Sequence, residues 1–148
     1  GITTLEEKSL GCIQKGGRAP VKQVVGYGEA ATQGLGGLCL VEAPGNDGVS
    51  CTALAAAGAH EILFTTGRGT PLGVPVPTLK IASNHALAER KPNWIDFDAG
   101  RLLEPEISAA RVTEDLMSLI LDVASGKEAR NERNGFREIT IWKQGVTL

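Results

Sequence analysis

Apolar residues in this chain come in short unbroken runs between glycine- and proline-rich turns, and one later segment carries a long helical stripe. Leu38-Cys39-Leu40-Val41 lies between Gly36-Gly37 and Pro44-Gly45, with the length and continuity of a buried strand. Ile62-Leu63-Phe64 and Thr78–Ala82 read the same way. A brief strand is expected at Ile95-Asp96-Phe97, and alternating character predicts a terminal one over residues 138–142. The helices fall between these runs. Thr4 can cap a short helix whose first turn is acidic; Leu5, Leu10 and Ile13 give it a partial apolar face and Gly16-Gly17 stops it. Residues 20–25 read as a second short helix ending near Gly26-Tyr27-Gly28. After an Asn46-Asp47-Gly48 turn, the alanine-rich stretch 50–57 reads as helical and Gly58 closes it. Asn84 caps a short helix through Arg90, ended by Pro92. Residues 112–124 place Leu116, Leu119, Ile120 and Val123 on one face, and Ser125-Gly126 ends that helix. Strands alternating with helices predict a three-layer, Rossmann-like α/β domain with a mostly parallel sheet and helices on both faces.

Composition narrows the picture. A chain of 148 residues suggests one domain, able to bury roughly two-thirds of its unfolded surface. With 15 basic against 17 acidic residues and no basic run, a nucleic-acid or membrane-surface partner has no electrostatic support. No apolar stretch reaches roughly 18 residues and no signal-peptide pattern opens the chain, so a cytoplasmic location is expected. Cys12, Cys39 and Cys51 are an odd number without a CxxC, which suits reduced thiols better than a disulfide framework.

Candidate chemistry gathers where strands end. Phe64-Thr65-Thr66-Gly67-Arg68-Gly69-Thr70-Pro71 sets one arginine between two glycines, with threonine hydroxyls close by. Glycine lets backbone approach a ligand closely, and the guanidinium fork matches a carboxylate with two parallel hydrogen bonds. The loop reads either as an anion receptor or as a tight turn with a solvated arginine. Pro44-Gly45-Asn46-Asp47 occupies the equivalent place one unit earlier, so two strand-end loops side by side would form one crevice. Asn46 and Asp47 suit polyol or cation contacts, but turn and helix-cap work is the commonest job of such residues. Lys8 and Glu7 offer a base or a metal ligand, or simply a solvated helix face. His60 and His85, the two histidines, lack metal-site spacing, and each reads as structural or exposed. Neither a P-loop, nor GxSxG, nor GxGxxG is present.

Several long motifs carry a resemblance that spacing alone does not supply. The opening Gly1-Ile2-Thr3-Thr4-Leu5-Glu6-Glu7-Lys8-Ser9-Leu10-Gly11 resembles the start of the C-terminal region in the altronate and galactarate dehydratase family. Ala43-Pro44-Gly45-Asn46-Asp47, the Phe64 to Pro71 loop, Val76-Pro77-Thr78-Leu79-Lys80-Ile81-Ala82 and Trp94-Ile95-Asp96-Phe97-Asp98-Ala99-Gly100 follow in the family's order. The tail, from Asn131-Glu132-Arg133-Asn134-Gly135 to Gly145-Val146-Thr147-Leu148, is similar to the altronate branch in particular.

That resemblance implies a C-terminal domain of a longer hydro-lyase, with the rest of its polypeptide as partner, a homo-oligomer as a further option, and little activity alone. It implies dehydration of a sugar acid, altronate giving 2-dehydro-3-deoxygluconate, with Fe²⁺ or Mn²⁺ as cofactor. Lys8, with Glu7 beside it, would be the catalytic group. Asn46, Asp47, Thr66, Gly67, Arg68, Gly69 and Thr70 would bind the substrate. The lack of paired histidines or cysteines puts most metal ligands outside this segment. Alternatives are galactarate as substrate, a sulfolactate sulfo-lyase of the same superfamily, or a non-catalytic scaffold.

Overall fold

The computed structural model describes Gly11 and residues 13–141. Lys8 and Glu7 therefore lie outside the described residues, as does most of the predicted first helix; its end is helical over 13–15 and turns at Gly16, where the amide donates to the Ile13 carbonyl (3.1 Å). The chain forms two compact units, one comprising Gly1–Gly58 with Thr140–Leu148 and the other Ala59–Ile139. Each contains parallel strands and helices, so the class is α/β.

In the first unit, β1 (Val21–Val25) pairs in parallel with β2 (Leu38–Val41). The expected helix at 20–25 is thus a strand. Val21, Val24 and Val25 are β-branched, stiff at χ1, and suited to a pleated surface, and pairing with a distant segment decides the outcome. Gln23 secures the crossover, accepting from the Thr32 amide (3.1 Å) and donating to its hydroxyl (2.9 Å). Helix α1 (Asp47–Ala56) begins before residue 50 because Asn46 caps it, accepting from the Val49 amide at 3.2 Å.

The second unit holds β3 (Ile62–Thr66), β4 (Thr78–Ala82) and β5 (Phe97–Asp98), all parallel, with β4 central. Every residue of β4 is buried, as an unbroken run between two covered faces requires. Leu79 and Ile81 pack toward α3 (Ala109–Ala124) through its Leu116, Leu119, Ile120 and Val123 stripe. Ala82, alternating to the opposite face, meets Leu87 of α2 (His85–Arg90). Helix α4 (Arg130–Arg133) was not expected, and a 3-10 turn covers Ala99–Leu103. The described residues 138–141 form no strand; instead Glu138 clips to Gly73, its amide donating to the Gly73 carbonyl (2.9 Å) and its carboxylate accepting from the Gly73 amide (3.1 Å).

Buried polar groups tie the sheet to α4. Asn131 is fully buried, accepts from the Thr78 amide (2.9 Å) and donates to the Phe136 carbonyl (3.2 Å). Lys80 is buried too, and its ammonium donates to the Leu72 carbonyl (2.8 Å). Asp96 accepts from the Lys80 and Arg130 amides, each at 2.8 Å, and β5 starts at Phe97, two residues later than expected. Burial raises its carboxyl pKa, and the bonds from these two amides oppose the rise. Asp96→Asn turns one acceptor into a donor facing an amide. It should lower stability by about 1–3 kcal/mol, read as a lower urea midpoint at unchanged slope.

Candidate active site at the carboxyl edge of the three-stranded sheet

Parallel strands bring their carboxyl ends to one edge, which is where open α/β sheets receive ligands. In the second unit β3 ends at Thr66, β4 at Ala82 and β5 at Asp98. The following loops are bonded to one another. Ser83 donates its amide to the Thr66 carbonyl (3.0 Å), and the Asn84 side-chain amide donates to the Gly67 carbonyl (3.2 Å). Asn84 also caps α2, accepting from the Leu87 amide at 2.9 Å.

The glycine-arginine-glycine loop is shaped from within. Thr66 Oγ1 accepts from the Gly69 amide at 2.9 Å, so that amide is engaged inside the turn. Gly69 sits at φ +83, and a Cβ there would meet Leu87 Cδ1 at 3.0 Å, so both conformation and space call for glycine. Thr70 Oγ1 accepts from the Leu72 amide (3.2 Å). Both hydroxyls keep their own proton to donate. Arg68 is exposed and makes no ion pair with any described residue.

After β4 and at the end of β5 stands a pair that pattern reading did not single out. His85 Nδ1 lies 2.5 Å from Asp98 Oδ2, and Asp98 Oδ1 accepts from the Gly100 amide at 2.9 Å, which fixes the carboxylate. Nε2 faces Glu89 at 3.2 Å. The hydrogen bond to Asp98 raises the His85 pKa above its ordinary value, and the Glu89 charge adds to the rise. His85 is exposed, as expected, but it is partnered and lies at the site edge. Its signal in the sequence was position, immediately after a strand and its Asn84 cap, with Asp98 at the end of the next strand.

Thr66, Gly67, Arg68, Gly69 and Thr70 are therefore brought together in one loop. Asn46 and Asp47 belong to the first unit, where Asn46 caps α1 and Asp47 is exposed in its first turn. Among the described residues no group of three or more His, Cys, Asp or Glu is arranged to hold a metal ion, so these residues do not fit the divalent cation expected above. Cys39 and Cys51 form no disulfide, and no described helix is long and apolar enough to cross a membrane.

Fold and candidate site together define an α/β domain with polar, mutually bonded loops at the carboxyl edge of a parallel sheet. Residues 1–147 match the family described as D-galactarate/Altronate dehydratase, C-terminal, and the chain belongs to that family. It is 53% identical over 148 residues to an altronate dehydratase of Escherichia coli (strain K12), and 51% identical over 148 residues to one of Bacillus subtilis (strain 168). Each alignment covers 100% of this chain and 29% of the relative, so the chain spans under a third of the length of the proteins it matches. A galactarate dehydratase (L-threo-forming) of Escherichia coli (strain K12) is 38% identical over 129 residues, covering 86% of this chain and 24% of that protein.

Proposed function

We propose that this chain is the C-terminal domain of a hydro-lyase that dehydrates altronate to 2-dehydro-3-deoxygluconate and water. The observation that carries this reading is the 53% and 51% identity across all 148 residues to two altronate dehydratases, against 38% over 129 residues for the galactarate enzyme. The chemistry suits the loop geometry. Removing the proton at C2 leaves charge on the neighbouring carboxylate, and a cationic fork aimed at that carboxylate stabilises it as it forms. Arg68 takes this role, and the Thr66 and Thr70 hydroxyls donate to polyol oxygens. Lys8, with Glu7 as neighbour, is assigned the base. Fe²⁺ or Mn²⁺ would be held mainly by residues other than the described ones, and no step here depends on it.

The test is formation of 2-keto-3-deoxy acid, trapped with semicarbazide and read in the ultraviolet, from altronate and from galactarate with Fe²⁺ and a reductant. The full-length protein carrying this chain should turn over altronate in preference to galactarate, and the isolated chain should yield no product. A full-length protein that prefers galactarate, or converts neither acid, contradicts the proposal.

A further inference from the structure

The dehydration needs an acid for the departing hydroxyl, a role that the assignments of Arg68 and Lys8 above leave open. We propose that His85 protonates the C3 hydroxyl as it leaves, with Asp98 as the residue that positions the ring. The assignment rests on the dehydratase reading above. Four observations carry it. His85 follows the carboxyl end of the central strand, the edge at which substrate is received. Its neighbour Asn84 is bonded to Gly67, so the segment that carries His85 is joined to the loop that carries Arg68. Asp98 binds Nδ1 and is itself held by the Gly100 amide, so the ring has one orientation and its transferable proton sits on Nε2. The ring is 57% exposed, and its other partner, Glu89, is 69% exposed one helical turn along, where it can swing aside for a substrate.

The charged groups acting on the ring are Asp98, Glu89 and Glu104, all acidic, and together they favour the imidazolium that an acid requires. The step balances as follows. The base takes the C2 proton and leaves its electron pair at C2, delocalised into the carboxylate. The Nε2–H bond breaks and its proton passes to the C3 oxygen. The C3–O bond breaks with its pair on oxygen, water departs, and the pair at C2 forms the C2–C3 double bond of an enol. The enol becomes the ketone, the protonated base gives its proton to solvent, and neutral His85 regains one from it.

The experiment uses the full-length protein, altronate, and an analogue carrying fluoride at C3, which leaves as an anion without a proton. His85→Gln should lower kcat for altronate by about 100-fold or more and lower turnover of the fluoro analogue far less. In the unaltered protein activity should fall as pH rises through the His85 pKa, and that alkaline limb should vanish in His85→Gln. Glu89→Gln, a surface change that cannot disturb the core, should move the limb to lower pH. An equal loss on both substrates, an alkaline limb kept in His85→Gln, or a limb unmoved by Glu89→Gln overturns the assignment. If the unaltered protein dehydrates no sugar acid, the dehydratase reading fails and takes this assignment with it. Turnover by the unaltered protein with an undiminished His85→Gln overturns the acid alone.

Discussion

Alanine at position 100 should cost about 3 kcal/mol or more of stability and remove activity with it. Gly100 is buried where the 3-10 turn after β5 crosses the start of α2. A Cβ there would lie 2.2 Å from the His85 amide nitrogen and 2.6 Å from the Asn84 carbonyl carbon. These are backbone atoms, so no side chain can rotate out of the way. The turn and the helix must part, and the first bond to stretch is the one between His85 and Asp98. The urea midpoint of Gly100→Ala reports the stability loss, and the keto-acid assay at a temperature where the variant is still folded reports the loss at the site. A variant as stable and active as the unaltered protein would mean that the loops do not meet as closely as this geometry has them.

Arg68→Lys should act in the opposite sense, sparing the fold and impairing the chemistry. Arg68 is exposed and makes no ion pair with any described residue, so the urea midpoint should not move. Lysine keeps the charge but loses the planar fork that holds two carboxylate oxygens at once. Charge-assisted hydrogen bonds contribute about 1.5–3 kcal/mol, so kcat/KM for altronate should fall by roughly 10- to 100-fold. Unchanged kcat/KM would remove Arg68 from the carboxylate. A fall confined to the urea midpoint would make it a structural residue.

How much of this was legible in the sequence depended on how local the cause was. β2 and β4 showed as apolar runs between turns, and α2 announced itself through Asn84 and Pro92, because each signal lies within a few residues of the element it defines. β1 did not. Val21–Val25 is a strand because Leu38–Val41 lies beside it, and nothing near residue 21 reports that pairing. Helix α4 is four residues long and depends on Asp96, far back in the chain, to receive the Arg130 amide. The site divides the same way. The Gly67-Arg68-Gly69 loop could be singled out as a candidate from its local sequence, because its residues are consecutive. The His85 and Asp98 pair could not, because it exists through the register of β4 on β5, which sets Ala82 against Asp98. Asn46 suited a cap first and substrate second, and the bond to the Val49 amide shows that its carbonyl caps α1.

The central claim is that substrate enters at the carboxyl edge of β3, β4 and β5. Hydrogen–deuterium exchange of the full-length protein with and without altronate tests it most directly. The account predicts slower exchange in peptides covering residues 66–70, 83–89 and 98–101, and little change along α3. Protection confined to other segments, with those three loops exchanging at the same rate in both samples, would contradict it.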